Sequence, residues 1–360
     1  MKKMTGLAVL TAGALLLSAC GGGGGGTSSP STPAGGATTA ATGTANVEGM
    51  PSVDVSGEDP IVLTLGHAGS EQDPRQTASL RMKELLEGAS NGQITVEIYP
   101  NSTLGTWEDM IEGLQYGSTH IVIESLLSLE TYTDLASVET TPFLYEDYEG
   151  FSEVWDGELG DEIKSEVTNA SGYAILGNMF RGSRELTTKE PVTSLADVQG
   201  LTIRTPSAKT MLDTWTALGA RAEALPFNEV YSALESGVLD GQENPLDAIL
   251  FNSIHEVAPN IAMTSHMFAN YHFLLWNDYL TGLPDGYQQL ITAAATITGE
   301  EYTQSTLDNE VEYKAELESQ GAIFHELTDR PAWVEATQSV RDGLPAKVKE
   351  WVSEIQEIQK

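Results

Sequence analysis

The residue with the plainest chemical purpose is Arg204, inside the stretch Gly200 to Asp247, GLTIRTPSAKTMLDTWTALGARAEALPFNEVYSALESGVLDGQENPLD. A guanidinium is a rigid fork that matches a carboxylate with two parallel hydrogen bonds. Arg204 closes an apolar strand, and Pro206 blocks its simple continuation. Such a position points either to a ligand carboxylate or to a structural Asp or Glu that needs a counter-charge. Arg181 and Arg184 stand together upstream in FRGSR. Arg184 is a second candidate, with a surface charge bonded to a loop carbonyl as the alternative; Arg181 reads as that surface charge. Asn244 lines a cleft or closes the Asp240-Gly241 turn through nearby backbone. Phe227 lies at core spacing on a helix, which makes core packing the alternative to a place in the cleft.

Other chemistry is poorly represented. There is no Gly-x-Ser-x-Gly elbow, no convincing Ser-His-Asp set, no zinc-type His spacing, no P-loop and no GxGxxG after a strand. No enzyme and no cofactor is expected. With 18 basic against 52 acidic residues the formal net charge is -34, which argues against nucleic acid and against an anionic membrane surface as partners.

The positioning elements follow from periodicity. Ile61 to Leu65 is a buried strand, Pro74 opens a helix carrying Ala78, Met82, Leu85 and Leu86, and Ile94 to Ile98 alternates as a strand. A helix from Trp107 to about Gly117 and a strand from His120 to Ile123 follow, with Glu124 at the strand's end. A helix covers Tyr148 to Val167, and Tyr173 to Leu176 is a strand leading into a crossover. In the central stretch, Leu201 to Arg204 is a strand, Ser207 caps a helix ending at Gly219, and Ala222 to Leu225 is a second strand. Pro226 then starts a helix that ends at Gly237. Leu246 to Ile254 is helical, and Tyr271 to Trp276 is a returning strand. Asp285 to about Gln320 is a long helix with a break expected near Gly299. Ile323 to His325 is a short strand and Pro331 to Ile358 holds two closing helices. Alternating strands and helices predict a mostly parallel sheet covered on both faces, with ligands beyond the strands' carboxyl ends.

The N-terminus is an address. Lys2 and Lys3 precede an apolar run too short to span a bilayer, and Leu-Ser-Ala-Cys ends it. This resembles the bacterial lipoprotein box, which places a lipid anchor on Cys20, the only cysteine. Two or more acyl chains anchor stably where one does not. Residues 21–59, rich in Gly, Ser, Thr, Ala and Pro, read as a flexible tether.

At LTIRTP, LGA, LPFNEVYSALESGVLDGQENP and RGSRELTT the chain resembles the DctP-type solute-binding proteins of tripartite ATP-independent periplasmic (TRAP) transporters. The similarity runs from GHAG near residue 66 through LGTWEDMIEGLQYGS to the closing helices. It implies an α/β, two-lobed, periplasmic-binding-protein-like fold with mixed sheets flanked by helices and a long helix spanning both lobes. Lobe I is expected over 60–181 and about 270–309, and lobe II over 182–269 and about 310–360. The implied function is extracytoplasmic capture of a small organic acid and its delivery to the small and large membrane subunits of a sodium-coupled transporter, from the periplasm or the outer face of the cell membrane. By the same resemblance Arg204 makes a two-pronged salt bridge with the ligand carboxylate, assisted by Arg184, Asn244 and Phe227. Glu124 and His67 would come from the first lobe and His266 from the crossover. Trp107 is a further aromatic candidate. Sialic-acid-binding members place an arginine three residues after the equivalent of Glu124, where this chain has Leu127, which favours a smaller or more apolar acid. A receptor module feeding a membrane sensor shares this physics; an extracytoplasmic hydrolase would need a nucleophile and base that are not evident.

Overall fold

A computed structural model describes residues 47–360; the expected signal peptide, Cys20 and residues 21–46 of the expected tether lie outside the described residues. Among the described residues nine strands form one sheet: β1 (Ile61–Gly66), β2 (Ile94–Tyr99), β3 (Ile121–Glu124), β4 (Tyr173–Thr188) and β5 (Thr202–Thr205). β6 (Arg221–Ala224), β7 (Gly241–Asn244), β8 (Asn260–Trp276) and β9 (Ile323–Glu326) complete it.

The sheet is two parallel units joined by a pair of long antiparallel strands. β2, β1 and β3 pair in parallel at one end, and β6, β5 and β7 do the same at the other. Between them β3 meets β8, β8 meets β4 and β4 meets β7, all antiparallel, while β9 lies parallel to β8. The expected parallel pairing therefore holds inside each lobe and fails in the middle. A strand that crosses between lobes and one that returns must run in opposite directions, so they pair antiparallel. The β4/β8 ladder shifts register between Leu176 and Met179, Phe180 and Ser183, and Arg184 and Leu186. Bulges of this kind re-aim successive side chains.

Each lobe has its own apolar cores. On one face of the first, Leu63, Met82, Leu85 and Val96 pack with Tyr287, Leu290 and Ile291 of the long helix. On the other, Trp107, Ile111, Phe151 and Trp155 form a second core. The second lobe packs Val230, Leu234, Ile249 and Leu317 on one side, and Ile203, Trp215 and Trp333 on the other. The long helix thus contributes to both lobes, as expected.

Several local expectations change. The long helix Asp285–Ser319 is unbroken, about 50 Å at the usual rise. Gly299 serves a close approach instead: a Cβ there would lie 2.6 Å from the carbonyl oxygen of Asn178 on β4. Gly177 meets the same helix with φ 68°, and a Cβ on it would lie 2.6 Å from the Ala295 carbonyl oxygen. The helix expected over Tyr148 to Val167 is two helices, Tyr148–Trp155 and Glu158–Ser171, parted at Asp156-Gly157. Three helices close the chain, Arg330–Ala336, Gln338–Gly343 and Ala346–Ile358. The last packs Val348, Trp351 and Ile355 into the Trp107 core of the first lobe, although its sequence position suggested the second. The tether ends earlier than its composition implied, because Met50 and Val55 are buried against the first-lobe core.

Ser207 does not cap the helix Lys209–Ala217, whose N-cap is Ala208 without a side-chain bond. Its hydroxyl donates instead to Glu108 Oε1 at 2.6 Å, across the lobes. Glu130 Oε2 accepts the Thr210 backbone N–H at 3.1 Å, so a second first-lobe carboxylate holds the start of the same helix.

Candidate ligand-binding site

β3, β4, β5, β7 and β8 bring one pocket together, lined by Ala68, Arg75, Trp107, Glu124, Ser125, Leu127, Arg181, Arg184, Arg204, Pro206, Phe227, Asn244, Ala248 and Tyr271. Six of the eight residues expected at a ligand site are there: Arg204, Arg184, Asn244, Phe227, Glu124 and Trp107.

Arg204 reaches the pocket because β5 lies between β6 and β7, with Arg204 in register with Glu223 and Gln242. Only 2% of it is exposed. Its Nε donates to the Leu225 carbonyl at 2.7 Å, and its guanidinium carbon lies 5.8 Å from the centre of the Phe227 ring. Among the described residues no carboxylate pairs with it and its terminal nitrogens carry no hydrogen bond. The alternative of a structural Asp or Glu partner is therefore not what the fold provides. Burial pulls its pKa down to about 10, with Glu243 opposing and Arg184 adding to the fall. The side chain still carries its charge at neutral pH, in a place where an unpaired charge is costly.

Arg184 is built differently. Its Nε and Nη2 donate to the two oxygens of Glu243 on β7, the second at 2.9 Å, and Nη2 also reaches the Glu243 carbonyl at 2.8 Å. His266 on β8 donates from Nε2 to the same carboxylate at 3.1 Å, while its Nδ1 shares a 2.8 Å hydrogen bond with the Thr264 hydroxyl. Burial works to raise the Glu243 pKa, but Arg184 and His266 hold it down to about 2. His266 does not line the pocket; it braces the carboxylate that braces Arg184. Trp215 meets the His266 ring edge-to-face with centres 5.1 Å apart and is fully buried, a core residue as its helix face suggested.

Asn244 donates from Nδ2 to Gln242 Oε1 at 2.6 Å, and Gln242 donates in turn to the Thr187 hydroxyl at 2.8 Å. This chain of amides sets Asn244 on β7 rather than closing a turn. Phe227 both joins the second-lobe core and faces the pocket. Trp107 is the first residue of the helix Trp107–Tyr116, fixed by the capping box of Thr106 and Asp109. Glu124 accepts the Ser125 N–H at 2.9 Å, and burial raises its pKa against the pull of Arg75 and Arg181. Beneath it, Glu139 Oε2 accepts from the Ser125 hydroxyl and, at 2.8 Å, from the Leu127 N–H; burial lifts its pKa to about 7. His67 is buried behind the pocket wall, sharing a 3.0 Å hydrogen bond with Gln76 Oε1, and burial with nearby Arg75 lowers its pKa to about 4.

Arg181 is not on the surface. It is 4% exposed, its guanidinium carbon lies 3.9 Å from the Tyr271 ring centre, and Nη2 approaches Asp247 at 3.5 Å. The bulged stretch of β4 turns both Arg181 and Arg184 inward, which no simple alternation would give. Arg75 and Tyr271 were also missed. Arg75 follows the helix-opening Asp73-Pro74, and Asp73 both caps the helix and grips the Arg75 guanidinium at 2.7 and 2.9 Å. The scarcity of basic residues, 18 in the whole chain, was the available signal for both arginines.

A mixed α/β sheet in two lobes, with a pocket of buried arginines where the strand ends meet, defines a two-lobed solute-binding protein. Residues 65–347 match the bacterial extracellular solute-binding protein family 7, DctP, and the chain belongs to that family. It is 30% identical over 298 residues to the C4-dicarboxylate-binding periplasmic protein DctP of Rhodobacter capsulatus, covering 81% of this chain and 88% of that protein. A TRAP periplasmic solute-binding protein from Roseobacter denitrificans, solved with bound L-galactonate, superposes with a TM-score of 0.79 at 30% identity, covering 83% of this chain and 99% of the other. One from Pseudomonas putida with bound D-glucuronate gives 0.80 at 27% identity, over 83% and 98%. Members of the family are solute-binding proteins of transport systems rather than enzymes.

Proposed function

We propose that this protein captures a small organic acid outside the cytoplasm and passes it, unchanged, to the small and large membrane subunits of a TRAP-type sodium-coupled transporter. The observation that carries the reading is Arg204: a buried guanidinium lining a pocket, with no carboxylate among the described residues to answer its terminal nitrogens. A ligand carboxylate would supply that partner as a two-pronged salt bridge. Arg184 and Asn244 would complete the second-lobe side, Phe227 would pack on the ligand, and Trp107 and Glu124 would close from the first lobe. His266 and His67 would act behind the pocket wall. Bound ligand touching both lobes would favour the closed arrangement.

In this reading lobe I comprises 60–181, about 270–309 and the C-terminal helix, lobe II the remainder, and a lipid on Cys20 holds the protein at the membrane. Replacing Cys20 by Ser should release the protein from the membrane fraction; continued sedimentation with membranes would overturn the anchor.

Calorimetric titration with keto, hydroxy, sugar and dicarboxylic acids tests the binding role. Wild type should bind at least one acid, Arg204→Ala should lose it, and Arg204→Lys should fail too because a point charge lacks the fork. Tight binding retained in Arg204→Lys would sink the role given to this residue.

A further inference from the structure

We propose that the pocket selects acids with a single carboxylate and a hydroxylated tail over dicarboxylates, through Tyr271, Arg75, Arg181 and Glu124 at the end away from Arg204. The inference rests on Arg204 as the carboxylate anchor and deepens that reading to a class of ligand.

Charge matching carries it. Four arginines line the pocket. Arg75 pairs with Asp73 at 2.7 Å, Arg181 with Asp247 at 3.5 Å and Arg184 with Glu243. Among the described residues Arg204 is then the single pocket arginine without a carboxylate, and Glu124 adds a negative group of its own to the lining. One ligand carboxylate uses the available cation. A second would enter a pocket whose other three arginines already answer Asp73, Asp247 and Glu243, with Glu124 in the same lining, and burying an unpaired charge is heavily penalised.

The same groups suit hydroxyls. Tyr271 lines the pocket and its hydroxyl carries no hydrogen bond among the described residues, so it can both donate and accept. Arg75 and Arg181 flank its ring at 4.9 and 3.9 Å, fixing its place. Arg75 commits Nε and Nη2 to Asp73 and leaves Nη1 without a partner there. Among the described residues one oxygen of Glu124 is used, by the Ser125 N–H, and the other can accept from a ligand hydroxyl. Burial raises the Glu124 carboxyl above its ordinary range against the pull of Arg75 and Arg181. A hydroxyl offers both a donor and acceptors to this set, whereas a carboxylate offers acceptors alone.

The test is calorimetry on the purified full-length protein with D-galactonate, L-galactonate, D-gluconate, D-glucuronate, succinate and malate. The tightest sugar acid should bind at least about 10-fold more tightly than either dicarboxylate, since a site built for hydroxyls rejects ligands that leave its polar groups unpaired. Tyr271→Phe and Glu124→Gln should each weaken that sugar acid about 10-fold or more, and Glu124→Gln should also narrow the gap to succinate by removing the repulsion. Both are near-isosteric, and unchanged melting temperatures without ligand would show that the fold is intact. A dicarboxylate within about 10-fold of the best sugar acid, or variants that leave sugar-acid binding unchanged, overturns the inference. If Arg204→Ala still abolishes binding in that case, the carboxylate reading stands alone; wild type binding none of the acids overturns both.

Discussion

Arg204 and Arg184 enter the same pocket from β5 and β4, yet the fold treats them in opposite ways. Arg184 is clasped by both oxygens and the carbonyl of Glu243, and His266 holds that carboxylate from behind. Arg204 receives one carbonyl, that of Leu225, and its fork is left open. Glu243 is stabilised as an anion, with its pKa near 2, whereas Arg204 is pushed toward neutrality, near 10. What separates the anchor from the brace is the number of protein partners rather than the residue type.

The sharpest break of this comparison is in stability. Arg184→Ala strands Glu243 as a buried charge without its cation and should cost about 3–5 kcal/mol in urea unfolding. Arg204→Ala should leave unfolding unchanged or raise the midpoint, because it removes a buried charge that no carboxylate answers among the described residues. Equal losses in the two variants would erase the distinction. In binding the order reverses: Arg204→Ala should lose about 2–5 kcal/mol, or roughly 30- to several-thousand-fold in affinity.

Glu139 is the anionic counterpart of Arg204, buried without an ion pair among the described residues and with its pKa raised from 4.5 to about 7. A carboxyl that holds its proton more tightly when folded stabilises the fold fully below pH 4.5, and that contribution is lost as pH rises through about 7. Glu139→Gln, uncharged throughout, should flatten the fall in melting temperature between pH 5 and pH 8 and melt higher than wild type at pH 8. A wild-type profile flat over that range would show that Glu139 ionises at no cost.

The strand-helix order of each lobe was legible because the strands are short apolar runs closed by Gly or Pro, and Arg204 stood out as a charge at the end of one. Length was not legible in β8, where Asn260 to Asn270 carries polar residues that suggest no strand; their backbone is satisfied by β4 and β9, far away in sequence. Arg181 was misplaced for a related reason. Its direction is set by bulges in β4, and bulges arise from pairing with a strand some 90 residues later, as with Met179 N–H and Asn270 Oδ1. Gly299 looked like a break because its partner, Asn178, is likewise distant. Ser207 looked like a cap because the competing acceptor, Glu108, belongs to the other lobe.

That last contact bears on timing. Glu108 and Glu130 each hold the start of the helix that follows the Arg204 strand, one through the Ser207 hydroxyl and one through the Thr210 N–H. Neither is among the residues that line the pocket, so they should act on how long the closed form lasts. A net hydrogen bond is worth about 0.5–1.5 kcal/mol, so Ser207→Ala should quicken ligand release by roughly 2- to 12-fold in stopped-flow displacement while leaving capture nearly unchanged. An unaltered release rate would show that the contact follows closure without prolonging it. A carrier that must yield its cargo gains from clasps this weak, because dwell time is then set by two half-buried contacts and not by the grip on the ligand alone.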